Sequence, residues 1–302
     1  MPKITAEDNC NRLDIFLSSE LNITRSYANK LIKSGNVTGE GGNLNLKPAS
    51  KIRAGEEFNI NIPGSENLNL KPEKINFDVI YQDEYLLIIN KPSGLVVHPA
   101  PGNYEHTLVN GLIYYFPEIK NLRDKMRPGI VHRLDSGTSG LMVAARDQKT
   151  SEILKRMFAD REINKNYLAL THNAPSRREG ILSGPIAHDP DNYLKMCVIE
   201  NGRPAMTGYK VLWSQDKNKN KNKFSLIECK LFTGRTHQIR VHLSALGCPI
   251  YGDVLYGSSV KNSRVMLHSW KLEFLHPVTK IKMSFTQNIP EDFKLCLSDI
   301  LR

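Results

Sequence analysis

Apolar residues recur at two different periods along this chain, and the change of period divides it. Leu13, Phe16 and Leu17 repeat at helical spacing, and Ser26 opens a second helix whose apolar side is Ala28, Leu31 and Ile32 and which Gly35 stops. Val37, the turn region from Gly39 to Gly42 and the alternation Phe58-Asn59-Ile60-Asn61-Ile62 then predict short strands that close a small module over residues 12 to 62. Residues 63 to 74 hold Pro63, Gly64, Ser65 and Pro72 among Asn and charged side chains, which is linker composition. The division expected is a small domain over 1–64, a linker over 65–75 and a larger domain over 76–302.

In the larger part the apolar runs become compact. Tyr85-Leu86-Leu87-Ile88-Ile89, ended by Asn90-Lys91-Pro92, reads as a buried strand running into a turn, and Leu141 to Ala145 and Tyr167 to Leu170 look similar. Ile227, Cys229 and Leu231 alternate with Glu228 and Lys230, as in a strand with one dry face. Asp147 is placed to cap a helix carrying Ile153, Leu154, Met157 and Phe158. Thr236 begins another with Ile239, Leu243 and Leu246, before Gly247 and Pro249 end it. A mixed sheet with helices against it follows, hence an α+β or irregular α/β fold. The Lys/Asn tract from Asp216 to Lys223 is most simply a loop between two hairpin strands.

Composition narrows the classes of function. No apolar run approaches the ~18 residues needed to cross a bilayer, so no membrane role is expected. Met1 to Asp8 has no apolar core or small-residue cleavage site, and the cytoplasm is the expected location. Cys10, Cys197, Cys229, Cys248 and Cys296 are scattered and odd in number, which indicates neither disulfides nor a zinc site. His237 and His242 stand five apart rather than the four that align zinc ligands on a helix, and no metal is expected. The net charge of +10 favours a polyanionic partner without naming one.

One stretch carries candidate chemistry. In the run Arg127-Pro128-Gly129-Ile130-Val131-His132-Arg133-Leu134-Asp135-Ser136-Gly137-Thr138-Ser139-Gly140-Leu141-Met142-Val143-Ala144-Ala145, a carboxylate sits between a basic pair and a Ser/Gly/Thr turn, just before an apolar strand able to hold it rigidly. Taken alone, an Asp in such a Gly/Ser loop reads first as a cap or brace for its turn. The run resembles the catalytic motif of the RluA/RluC/RluD family of ribosomal large subunit RNA pseudouridine synthases, in which the aspartate is essential. Two further stretches extend the resemblance: Arg161 to Leu170, which brings Tyr167 onto the family's base-stacking tyrosine, and Thr233 to Leu243, which brings Arg240 onto the arginine that pairs with the aspartate. The Val96 to Asn103 segment looks most like the RluD branch, with RluC next.

The resemblance implies an isomerase acting on a flipped-out uridine, with Asp135, Tyr167 and Arg240 catalytic and no cofactor. A carboxylate is ionised at neutral pH, a phenol can stack on uracil, and a guanidinium both orients a carboxylate and opposes the rise in its pKa that burial causes. His132, Arg133, Lys165 and Arg235 are candidates for contact with the RNA around the site, His132 equally for a structural hydrogen bond. Arg12-Leu13-Asp14, Thr24-Arg25-Ser26 and Leu31 to Val37 resemble the S4 RNA-binding domain, departing from it over Thr38 to Gly42. Arg25, Lys30 and Lys33, with Lys47, Lys51 and Arg53, form its cationic set. The implied partner is 23S ribosomal RNA or a precursor of the large subunit, with no membrane and no obligate protein partner. The alternative is a ribosome-assembly factor that binds RNA without chemistry.

Overall fold

The computed structural model describes residues 3–6, 9–21, 25–39, 46–61, 70–99, 105–192, 194–215, 223–260 and 263–301, apart from the side chains of Ser26 and Leu301. The chain divides into two compact units, Met1–Asn69 and Leu70–Arg302.

In the first unit the helical spacing produces α1 (Leu13–Glu20) and α2 (Arg25–Lys33). Strands β1 (Lys3–Thr5), β2 (Val37–Thr38) and β3 (Glu57–Ile60) form an antiparallel sheet in the order β1-β3-β2. Leu13, Phe16 and Leu17 of α1 bury against Ala28, Leu31 and Ile32 of α2 and against Val37, Phe58 and Ile60 of the sheet. The Gly39 to Gly42 turn lies, from residue 40 on, outside the described residues, as do Thr24 and Ile62.

The second unit is built on one mixed sheet, nine strands among the described residues. They are β4 (Asp78–Gln82), β5 (Leu86–Lys91), β6 (Ser139–Ala145), β7 (Asn164–His172), β8 (Glu179–Ser183), β11 (Met206–Ser214), β12 (Phe224–Leu231), β13 (Leu267–Leu275) and β14 (Lys282–Thr286). A short hairpin, β9 (Ile186–His188) with β10 (Met196–Val198), stands apart from it. The order is β4-β5-β6-β13-β7-β12-β11-β8, with β14 on the other part of β13, and every described pairing is antiparallel except β6 with β13. The helices are α3 (Leu108–Tyr115), α4 (Gln148–Ala159), α5 (Gln238–Ala245) and α6 (Glu291–Leu301). No helix among the described residues is long and apolar enough to cross a membrane.

Continuous apolar runs follow from burial on both faces of the sheet. Leu87 and Ile89 of β5 point into a core shared with α3 and α5, while Leu86 and Ile88 point into a second core with Leu154 and Met157 of α4. Asp147 caps α4, its carboxylate accepting the Thr150 N–H at 2.9 Å. Of the linker expected over 65–75, residues 65–69 lie outside the described residues. Residues 70–75 are not free chain but part of the second unit. Leu70 is buried there, the Asn110 amide donates to the Lys71 carbonyl (2.9 Å), and the Glu73 N–H donates to the Asn110 carbonyl (3.1 Å). The Lys/Asn tract joins β11 to β12, which pair as a hairpin, but residues 216–222 are outside the described ones.

Candidate active site

Asp135 stands in the loop that feeds β6, and that loop is pinned at three successive carbonyls. The Asp135 carbonyl accepts the Thr138 N–H (3.1 Å), the Ser136 carbonyl accepts the Gly94 N–H (2.8 Å) and the Lys91 ammonium (3.1 Å), and the Gly137 carbonyl accepts the Ser93 hydroxyl (2.8 Å). Lys91 is fully buried and donates also to the carbonyls of Pro92 (2.8 Å) and Leu95 (2.9 Å). Burial lowers its pKa to about 7, opposed by the charge of Asp135. Gly140 completes the mounting. At φ +111° it passes so close to Ser269 that a Cβ would lie 2.2 Å from the Ser269 carbonyl oxygen, and only this approach lets β6 pair with β13.

Arg240, in the first turn of α5, meets that loop. Its Nη1 donates to Asp135 Oδ2 at 3.1 Å, across 105 residues of sequence. The rest of its fork is taken by Asp253, with Nε to Oδ2 at 2.7 Å and Nη2 to Oδ1 at 2.9 Å. Asp253 is 1% exposed, Arg240 10% and Asp135 21%, so the pair grades from a dry anchor to a carboxylate open on one side. No described residue hydrogen-bonds Asp135 Oδ1. The two carboxylates raise the guanidinium's pKa against its burial, so Arg240 remains charged.

The start of α5 differs from the sequence expectation. The helix begins at Gln238, not Thr236, and His237 before it is left-handed (φ 55°). The reason is Gln238, whose amide oxygen accepts the Thr233 hydroxyl (2.7 Å) and the Arg235 N–H (3.0 Å). Its nitrogen donates to the Met206 carbonyl (3.0 Å) and the Thr207 hydroxyl (2.9 Å). That bracing turns His237 inward, where Nε2 comes within 3.9 Å of Asp135 Oδ2.

A cleft of about 390 Å³ opens over the carboxylate, within the size range of small-molecule sites. Tyr167, on β7, lines it together with Asp135 and the cations Arg133, Arg161, Lys165 and Arg235. A smaller recess of about 60 Å³ adjoins it, also lined by Asp135, Tyr167 and Arg240. Tyr167 is buried, and burial pushes its phenol up while a hydrogen bond with the Ser269 side chain pulls the other way. At neutral pH it is therefore a protonated phenol. Lys165 lies 5.0 Å over the Phe158 ring with no acidic partner among the described residues, and burial lowers its pKa to about 8. Arg235 donates from Nε to the Pro204 carbonyl (3.1 Å), which aims the remainder of its fork at the cleft.

His132 is held rather than free. Its Nε2 accepts the Val143 N–H (3.0 Å), its ring stacks on Phe158 at 4.4 Å, and burial lowers its pKa to about 3. Of the two roles left open for it, the geometry carries the structural one. Arg25, Lys30 and Lys33 lie on α2 of the first unit, all exposed, with Arg25 Nε donating to Asp14 at 2.9 Å. Lys91, His237, Asp253 and Tyr256 carry no role that the sequence alone assigns. The available signal was donor count: a guanidinium has five N–H groups to satisfy when buried, more than one carboxylate accepts, and Asp253 is the acid that follows 13 residues on.

A rigidly mounted carboxylate under a cation-lined cleft suits chemistry on a polyanion. The comparisons make the class specific. A family pattern described as RNA pseudouridylate synthase matches residues 85–245, a span containing Asp135, Tyr167 and Arg240. The ribosomal large subunit pseudouridine synthase D of Zymomonas mobilis subsp. mobilis is 39% identical over 298 residues, covering 94% of this chain and 92% of that protein. The uncharacterized RNA pseudouridine synthase YlyB of Bacillus subtilis is 37% identical, covering 95% and 93%. Among solved structures, human RNA pseudouridylate synthase domain containing 1 matches with a TM-score of 0.59 at 28% identity, covering 72% of this chain and 85% of that one. The chain belongs to the RluA/RluD family of RNA pseudouridine synthases, and it is an enzyme of that isomerase class.

Proposed function

We propose that this enzyme isomerises uridines in 23S RNA of the large ribosomal subunit, in the cytoplasm, with Asp135 as the reacting carboxylate. The target uridine leaves its stack and enters the cleft, a step that costs a few kcal/mol and that backbone contacts and stacking offset. Tyr167 stacks on the uracil. The C1′–N1 bond breaks with Asp135 beneath the sugar, as nucleophile or as stabiliser of positive charge at C1′. The freed base turns, C5 joins C1′, the C5 proton departs and N1 regains one. No atom is gained or lost.

Arg240 keeps Asp135 ionised and oriented, and Asp253 keeps Arg240 in place. Arg133, Lys165 and Arg235 hold the phosphates flanking the uridine, while His132 keeps the loop in position. The first unit, S4-like in its motifs, grips RNA away from the target through Arg25, Lys30 and Lys33, each neutralised phosphate releasing counterions. The observation that carries the reading is the pairing of Asp135 Oδ2 with Arg240 in a cleft that Tyr167 also lines. The large-subunit substrate is supported by the names of the relatives. The test is release of tritium from large-subunit RNA labelled at uracil C5. Asp135→Asn is expected to lower it on the order of 10⁴-fold or more while RNA binding persists; undiminished release would remove Asp135 from the chemistry.

A further inference from the structure

His237 touches the catalytic loop through one ring nitrogen and Tyr256 through the other, and the hydrogen-bond accounting around it is one-sided. The Tyr256 hydroxyl accepts the Met196 N–H at 2.8 Å and lies 2.8 Å from His237 Nδ1. If the phenol donates to Nδ1, the imidazole proton sits on Nε2, the atom 3.9 Å from Asp135 Oδ2. In the opposite tautomer a lone pair on Nε2 would face a carboxylate oxygen, and the phenol proton would have no acceptor among the described residues. Both penalties select the first arrangement.

We propose that His237 is a positioning residue for Asp135, kept by Tyr256 in the tautomer that carries its proton on Nε2. It shares Oδ2 with Arg240 and leaves Oδ1 as the oxygen presented to the sugar. The inference rests on the reading of Asp135 as the reacting carboxylate. Tyr256 serves both donors at once: its ring lies under the Arg240 guanidinium (4.9 Å) and edge-on to the His237 ring (5.6 Å). At 3.9 Å the Nε2 contact is longer than a hydrogen bond, and a small turn of the carboxylate closes it. The backbone supports the placement, because a left-handed conformation is uncommon outside glycine, yet His237 holds it where its carbonyl accepts the Val241 N–H (2.9 Å) and starts α5. Asp135 and Asp253 face the ring and favour its cation, Arg240 and Arg133 oppose it, and with burial the balance lowers its pKa. The ring is therefore neutral at pH 7, as the arrangement requires.

The test uses the full-length protein and C5-tritiated RNA, with kcat, KM and the pH profile of kcat measured for His237→Asn, His237→Gln and Tyr256→Phe. Asparagine suits a left-handed helix start but ends short of Oδ2, whereas the glutamine amide can reach it. The expected results are a kcat about tenfold lower for His237→Asn with KM within about twofold of the parent, the size of one hydrogen bond to a charged group, and recovery of most of the rate in His237→Gln. Tyr256→Phe lets the neutral ring carry its proton on either nitrogen, so kcat falls a few-fold at neutral pH and recovers at lower pH, where the cation again has a proton on Nε2. A merely structural His237 would make asparagine the better replacement and leave the pH profile in place, and either result overturns the proposal. Asp135→Asn run alongside separates the two readings: an active Asp135→Asn sinks the parent assignment, whereas an inactive one beside fully active His237 variants sinks this inference alone.

Discussion

The tripeptide Arg-Leu-Asp occurs in both units, as Arg12-Leu13-Asp14 and Arg133-Leu134-Asp135, and its two copies have opposite fates. In each the leucine is buried and anchors the segment. In the first, Asp14 lies in the opening turn of α1, where Arg12 folds back on it through two bonds (2.9 and 3.0 Å) and Arg25 and Asn29 each donate at 2.9 Å. Its carboxylate is 1% exposed with donors on both oxygens. These bonds, Arg12 foremost, hold its pKa well below the usual carboxylate range. In the second, Arg133 turns to the cleft wall, Asp135 has one oxygen paired, and its arginine partner is itself anchored by another acid. A carboxylate with donors on both oxygens and almost no exposure braces a fold. One held on a single oxygen, in a pinned loop under a cavity, still has an oxygen to offer a substrate.

Three experiments press on that contrast. The largest effect is expected from Arg240→Lys, which keeps the charge but cannot grip Asp253 with two bonds and reach Asp135 with a third. Single-turnover pseudouridine formation should fall about 10²-fold with RNA affinity retained. A full rate would mean that charge alone, not the fork, sets the position of Asp135.

Next in size is Asp14→Ala. It should destabilise the first unit by about 2 kcal/mol in a denaturant titration and leave the rate of chemistry on bound RNA unchanged. The pH dependence has a defined sign. Because the folded pKa of Asp14 lies below the unfolded value of about 4, its stabilisation is complete above that pH and is lost as the pH falls below it. Acid unfolding of the first unit should thus start at higher pH in the variant's absence of this bracing, and equal acid midpoints would show that Asp14 contributes nothing to the fold.

The smallest effect concerns Lys165. With a pKa of about 8, its ammonium is charged below that pH and neutral above it, so raising the pH from 7 to 9 should weaken RNA binding a few-fold and reduce its salt dependence by about one phosphate contact. Lys165→Met should flatten that pH dependence. A parent protein whose affinity does not change over this range would place Lys165 off the RNA path.

Much of the fold was legible because it is encoded by neighbours in sequence. The 3.6-residue spacing of Leu13, Phe16 and Leu17 gives α1, Asp147 caps α4 as its residue type demands, and the unbroken apolar runs mark β5 and β6 as buried on both faces. The start of α5 was misplaced because the deciding contacts run from Gln238 to Met206 and Thr207 on β11, some 31 residues away. For His132 the sequence leaves an RNA contact and a structural hydrogen bond both open, because the bond that its Nε2 accepts comes from Val143, on the strand to which the loop returns.

By itself, then, the sequence determined the family and most of the elements near the site, and it singled out Asp135 as the candidate acid, since residue type, period and turn composition act over a few residues of chain. The resemblance already pairs Arg240 with Asp135, and only the tertiary structure shows that Asp253 grips the rest of that guanidinium and that Asp135 is held on one oxygen. β6 lies between β5, its neighbour in sequence, and the distant β13, and α5 packs over the loop before β6, so Arg240 reaches an aspartate 105 positions earlier. Which carboxylate is bonded on both oxygens and which keeps a free oxygen depends on those distant neighbours, because a hydrogen bond forms within about 3 Å of space whatever the separation along the chain.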